Sequence, residues 1–116
     1  MYVAVLARRL RPGKTYADFV AAWYPDKGFG VPVDGPILAT GTADDREIIA
    51  IAFLDLPDRP SLEEAMARVA AQEEVRHERI AAVIEATTLR GLYEVADRFD
   101  FSTDATVEAT RPGTRR

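Results

Sequence analysis

Two segments of this chain are apolar at almost every position, and they limit what it can fold into. One is YVAVLA at residues 2–7 and the other is EIIAIAFL at residues 47–54. Both are short, contain β-branched residues and end at segments that include proline, which predicts strands. Because successive side chains of a strand point to opposite faces, these strands are apolar on both faces. A sheet with one wet face would alternate apolar and polar residues, so both faces of this sheet should be covered.

Two helices are predicted between the strands. The first follows Thr15, which forms a capping box with Asp18, and its apolar side chains recur at the spacing of one helical face until Pro25 ends it. The second begins at Ser61 and Glu64, another capping-box pair, and continues with strong helix formers to about residue 86. We therefore expect two amphipathic helices that can cover one face of the sheet.

Two further strands complete the element order. They are predicted in ILATGTA, residues 37–43, and in TTLRGLYEVADRFDF, residues 87–101. The resulting order, βαββαβ, is that of an α+β, ferredoxin-like fold: a four-stranded antiparallel sheet with the first and third strands central and both helices on one face. We expect a single domain over residues 1–101 and a polar C-terminal tail over residues 102–116.

The second face of this sheet needs a cover, and a second copy of the same sheet is the economical candidate, which predicts a homodimer. In its element order and its apolar strands, the chain resembles the dimeric αβ-barrel superfamily over roughly residues 2–101. The resemblance implies that two sheets close into a shared barrel. It also implies several activities, since the superfamily includes antibiotic-biosynthesis monooxygenases and aromatic polyketide cyclases, and the fold does not choose among them.

Composition excludes several classes of function. The formal net charge of −4 argues against a nucleic-acid partner, which needs clustered Lys and Arg. No segment reaches the length of a membrane span, so we expect no membrane partner and a cytoplasmic protein. With one histidine and no cysteine, thiolate and multi-histidine metal sites are excluded, and we expect no metal.

The only histidine, His77, lies in the segment EEVRHER of the second predicted helix. Glu73 precedes it by one helical turn, and at 100° per residue both fall on the stripe that faces the core. His77 would then be a general base, because its ordinary pKa suits proton transfer near neutral pH, and Glu73 would orient the ring. The alternative is that the helix breaks near Gln72 and leaves the two side chains as an ion pair on the surface.

Aromatic residues are candidates for the wall of a ligand pocket. Trp23 and Tyr24 end the first helix, and Phe29 lies in the long loop PDKGFGVPVDGP, residues 25–36, which we expect to border the mouth of the pocket. The alternative for Trp23 is an ordinary core residue, because it continues the apolar stripe of the first helix. Arg8, at the end of a central strand, could meet an anionic group of the substrate or simply face water.

Two functional hypotheses remain open. The first is a cofactor-independent monooxygenase or cyclase-like enzyme that acts on a small apolar or aromatic compound with His77 as base. The second is a homodimeric module that binds a small ligand or a partner without catalysis. The direction in which His77 points should discriminate between them, because only an inward histidine beside a cavity can act as the base.

Overall fold

The computed structural model describes residues 1–26, 28–29 and 33–102. The proposed tail beyond Ser102 and part of the long loop lie outside these residues. The chain forms six elements in the predicted order, βαββαβ: β1 (Tyr2–Leu10), α1 (Tyr16–Trp23), β2 (Val33–Thr40), β3 (Glu47–Leu54), α2 (Arg59–Ala81) and β4 (Ile84–Glu94).

The four strands form one sheet in the order β2-β3-β1-β4, and every neighbouring pair is antiparallel. β1 and β3 are central and pair without interruption from Tyr2 opposite Leu54 to Arg9 opposite Glu47. With two helices and a four-stranded antiparallel sheet, the layout confirms the predicted α+β class and is that of a ferredoxin-like fold.

Both helices pack on the same side of the sheet. Phe19 of α1 and Ile80 of α2 form a buried cluster with Leu10 of β1 and Ile48 of β3. A second cluster joins Leu62 of α2 to the other end of β1 and β3, at Tyr2 and Leu54. These strand residues belong to one set of alternating positions, so the core occupies one face of the sheet.

The ends of the helices follow their capping residues, with one correction. The box at α1 is confirmed, because the Asp18 N–H donates to Thr15 Oγ1 at 3.2 Å and the Thr15 N–H donates to Asp18 Oδ2 at 2.8 Å. The predicted box of Ser61 and Glu64 is wrong: Asp58 caps α2 by accepting from the Ser61 N–H at 2.9 Å. Proline is tolerated in a first helical turn because its missing N–H has no partner there, so α2 begins before Ser61, with Pro60 inside it.

Several predicted boundaries also change. α2 runs without a break past Gln72 and ends at Ala81. β4 begins at Ile84 and ends at Glu94, earlier than predicted at both ends, and β2 ends at Thr40. β2 begins at Val33, so the last residues of the predicted loop belong to the sheet. Gly35 makes this irregular start possible, because its φ of 102° is one that other residues rarely adopt.

The opposite side of the sheet, which we call the outer face, carries apolar side chains on all four strands, with the charged pair Arg9 and Glu47 at one end. Antiparallel partners share a face, so the register places ten apolar side chains on it: Val3, Val5, Ala7, Ile37, Ala39, Ile49, Ile51, Phe53, Leu89 and Tyr93. Four of them are among the large hydrophobic side chains that are at least 40% exposed: Ile37, Ile49, Leu89 and Tyr93. No helix of the described chain covers this face.

Candidate functional site

A cavity of about 1190 Å³ lies between α2 and the side of the sheet that faces the helices. Its sheet wall includes Ala4, Leu6 and Arg8 of β1, and its helix wall includes Glu73 and His77 of α2. Ligand sites in proteins are typically apolar hollows with a few convergent polar groups, and this cavity has that character. It is therefore the candidate functional site.

A smaller cavity of about 510 Å³ lies beside Thr15 and Arg46. Arg46 donates to the carbonyl oxygen of Leu10 at 2.9 Å and to Glu85 at 3.1 Å. Thr15 is engaged in capping α1. Both side chains thus make contacts that stabilise the fold. We therefore do not place the functional site here.

His77 lies at the wall of the larger cavity with a partner on each ring nitrogen. Its Nε2 is 3.2 Å from Oε2 of Glu73, one turn earlier on α2, and its Nδ1 is 3.4 Å from Nη2 of Arg90 on β4. A guanidinium can only donate, so Nδ1 accepts from Arg90 and the proton of the neutral ring resides on Nε2, from which it is donated to Glu73. The side chains of His77 and Glu73 are 29% and 30% exposed, so they are neither sealed in the core nor free on the surface.

The pKa of His77 is lowered from its ordinary value. Burial is the largest cause, because it disfavours the charged ring, and the positive charge of Arg90 is the next. The carboxylate of Glu73 acts in the opposite direction but does not outweigh them. His77 is therefore a neutral imidazole near neutral pH, the form in which a histidine can accept a proton.

Arg76 connects the two helices and the loop beside the cavity. It is only 7% exposed, and its Nε donates to the carbonyl oxygen of Trp23 at 2.7 Å while its Nη1 donates to Oε1 of Glu73 at 2.6 Å. Its guanidinium lies 5.5 Å from the ring of Trp23 and 5.2 Å from the ring of Phe29, distances that allow cation–π attraction to both. Arg76 thus fixes Glu73 and the aromatic wall in one arrangement.

Arg8 is as deeply buried as Arg76 but differs in its contacts. It is 6% exposed, and its guanidinium lies 5.8 Å from the ring of Phe19. It makes no hydrogen bond or ion pair with any residue that the structure describes. Burial, followed by the charges of Arg76 and Arg90, lowers the pKa of Arg8 to about 10.

The structure brings five of the six residues chosen from the sequence together around the cavity: Arg8, Trp23, Phe29, Glu73 and His77. Tyr24 does not line it and is 66% exposed. Sequence reasoning missed Arg76 and Arg90. Arg76 could have been found from its position three residues after Glu73, where one helical turn brings the two side chains together, whereas nothing local marks Arg90.

No family model, curated protein or solved structure matches this chain. Within residues 1–26, 28–29 and 33–102, no helix is both long enough and apolar enough to cross a membrane. In that same part of the chain, His, Asp and Glu side chains do not gather in any group of three or more that could hold a metal ion.

Proposed function

We propose that the protein is a small enzyme that acts on a small apolar or aromatic compound in the larger cavity, with His77 as general base. The observation that carries the proposal is a neutral imidazole, held by Glu73, at the wall of a large and mostly apolar cavity. Nδ1 of His77 accepts the substrate proton. Glu73 accepts the Nε2 proton in a hydrogen bond and stabilises the imidazolium that forms.

Two reactions are consistent with a base and no cofactor, and both begin with loss of a proton from a substrate carbon. In a cyclisation, the carbanion attacks a carbonyl group of the same molecule. In a monooxygenation, dioxygen is the co-reactant: a CH₂ group becomes a carbonyl, and the second oxygen atom leaves as water. The resemblance to dimeric αβ-barrel proteins, to which we propose the chain belongs, favours this pair of reactions.

Proton removal can be tested without knowing the natural substrate. We would measure deuterium exchange of the acidic CH₂ groups of β-tetralone, an aromatic ketone, in deuterated buffer by NMR. The native protein should accelerate exchange, and His77→Gln should lower the protein-catalysed rate by about 10²- to 10⁴-fold. Glu63→Gln, on an exposed part of α2 outside the cavity, is the matched control and should leave the rate unchanged. Equal exchange rates with the native protein and His77→Gln would refute the assignment of His77 as base.

A second candidate function is a module that binds a small ligand without catalysis. The observation that favours it is that Arg90 already occupies Nδ1 of His77, the nitrogen that would have to accept the proton. In the exchange experiment this alternative gives binding of β-tetralone without any acceleration of exchange.

We also propose that the outer face pairs with the outer face of a second copy, forming a homodimer with a closed barrel. The strands have eight to eleven residues. At about 3.3 Å per residue and about 4.8 Å between strands, the face measures about 500–700 Å². A standard interface buries about 800 Å² per partner, so this face approaches the size that a stable dimer needs. The proposed location is the cytoplasm, since a chain without cysteine has no disulfide to form in an oxidising compartment.

A further inference from the structure

The inner part of the larger cavity carries more positive than negative charge. Arg8, Arg76 and Arg90 lie close enough for the latter two to lower the pKa of Arg8, and the only carboxylate that acts on Arg8 is that of Glu73. Glu73 is already shared between Arg76, at 2.6 Å, and His77, at 3.2 Å. Two other carboxylates of the cavity wall, at positions 74 and 78, are exposed and contribute nothing to the pKa shifts of Arg8 or His77.

The two buried arginines of the cavity differ in what satisfies them. Arg76 donates to a backbone carbonyl and to a carboxylate, whereas the guanidinium of Arg8 has no acceptor among the described residues and borders the cavity. A buried cation without an acceptor is costly, so an anion that pairs with it would be bound favourably. Arg8 is therefore a donor directed at the cavity, and the rest of the described chain offers it no anion.

Arg90 is the second cation with donors to spare. It lies on β4 opposite Leu6, two residues from Arg8 along the neighbouring strand, so both guanidinium groups project from the same side of the sheet. Its contact to Nδ1 of His77, at 3.4 Å, is long for a hydrogen bond and involves a neutral acceptor. A carboxylate would be a stronger acceptor for this guanidinium than the imidazole is.

We propose that the ligand of this cavity is an aromatic or apolar carboxylic acid whose carboxylate lies between Arg8 and Arg90. The flat, two-oxygen carboxylate suits the forked donors of arginine, and the apolar body of the acid would lie along Ala4, Leu6, Met66 and Val69 of the wall. This inference rests on the proposed function to the extent that the same cavity is the ligand site.

Binding of a carboxylate should also change the state of His77. Pairing with Arg90 neutralises the positive charge that now helps to lower the pKa of His77 and draws the guanidinium away from Nδ1. Both changes make the imidazole a stronger base. The acid group of the ligand would therefore prepare the histidine that the proposed reaction uses, while Glu73 and Arg76 keep their effects on the ring.

The test compares an acid with its neutral amide. Calorimetry would measure the affinity of phenylacetate, phenylacetamide and inorganic phosphate for the native protein, Arg90→Gln and Arg8→Met. Arg90 is exposed, so its variant should fold normally, and Met replaces the aliphatic stem of the Arg8 side chain without its charge. Arg68→Gln, an exposed arginine of α2 outside the cavity, is the matched control.

We expect phenylacetate to bind the native protein at least about tenfold more tightly than phenylacetamide, and each cavity variant to lose about tenfold or more for the acid only. We also expect the NMR titration of His77 to move to higher pH when phenylacetate is bound. Equal affinities for acid and amide would overturn the carboxylate proposal while leaving the cavity as a ligand site. Tighter binding of phosphate than of phenylacetate would overturn it in favour of a phosphate ligand, and binding of none of the three would overturn it together with its premise.

Discussion

The two faces of the sheet are formed by alternate residues of the same strands, yet they differ in kind. The outer face presents mostly apolar side chains, such as Val3 and Ile49, to its surroundings, with the charged pair Arg9 and Glu47 at one end. The face under the helices has an apolar core at both ends and, between them, a cavity that contains Arg8, His77 and Glu73. β1 and β3, for example, each contribute side chains to both faces.

This difference indicates two kinds of partner. An apolar surface is covered favourably by any matching apolar surface, because the hydrophobic effect has no direction. Buried charges require a partner of opposite charge at a defined position. The outer face therefore fits a second copy of the sheet, and the cavity fits a small ligand with an acid group.

The largest effect should follow from placing a charge on the outer face. Ile49→Arg puts an unpaired guanidinium into the proposed interface twice, once from each copy, because a two-fold axis repeats the residue. Each buried, uncompensated charge costs about 3–5 kcal/mol, so we expect the dimer to separate into folded monomers. Sedimentation measures the change in mass, and circular dichroism checks the fold.

Val75→Arg is the control for this variant, since Val75 is an exposed apolar residue of α2, 52% accessible and away from the sheet. It should leave the mass of the assembly unchanged. If the native protein sediments as a stable monomer at micromolar concentration, the proposed pairing of outer faces is wrong.

The next largest effect should come from the core under the helices. Phe19 is fully buried, and Phe19→Ala should lower the free energy of unfolding by about 3–5 kcal/mol through lost burial and a cavity. Tyr16 lies one turn earlier on α1 and is 45% exposed, so Tyr16→Ala should cost less than about 1 kcal/mol. Denaturant melts of the two variants measure the difference, and similar midpoints would contradict the described packing of α1.

Replacing each of the two buried arginines by methionine should change the free energy of unfolding in opposite directions. Arg8→Met removes a buried cation that has no acceptor and should raise the free energy of unfolding by about 1–2 kcal/mol. Arg76→Met leaves Glu73 without its buried partner and should lower that free energy by about 3 kcal/mol. Thermal melts of the two variants and the native protein measure these changes in stability. Destabilisation by both variants would mean that Arg8 serves the fold and not a ligand.

The smallest effect should be a dependence of stability on pH. The folded pKa of His77 lies below its ordinary value of 6.5, so the unfolded chain binds a proton first as the pH falls. The free energy of unfolding should therefore decrease as the pH drops from 6.5 towards the folded pKa. Carboxylates with a lowered pKa, such as Asp18, lose their contribution only at lower pH, below 3.8. In denaturant melts, the stability of His77→Gln should not decrease near pH 6.5. If its pH profile is identical to that of the native protein, the described lowering of the His77 pKa is wrong.

The fold was predictable because its determinants are local. The continuous apolar runs of β1 and β3, the cap at Thr15 and the breaks at proline define the elements and their order. The errors arose where several local signals competed: Asp58 and Ser61 are both good caps, and only the tolerance of a first turn for Pro60 selects the earlier one.

The candidate site was only partly predictable, because half of it depends on distant pairing. Glu73 and His77 are one helical turn apart, so their contact follows from the helix alone. Arg90 reaches His77 only because β4 pairs with β1 and α2 packs across both, and no pattern around Arg90 encodes that arrangement. The direction of the His77 pKa shift was not predictable from the helix alone, because burial and then the charge of Arg90 lower it while Glu73 raises it.

The most direct test of the cavity is an NMR titration of His77, whose ring signals are unambiguous because the chain has no other histidine. In the protein without ligand we expect a pKa below 6.5, and in Arg90→Gln a pKa closer to 6.5, because removing that charge leaves burial to act against Glu73. A pKa at or above 6.5 in the native protein would mean that burial and the charge of Arg90 do not act on the ring as described, and it would contradict the assignment of this cavity as the functional site.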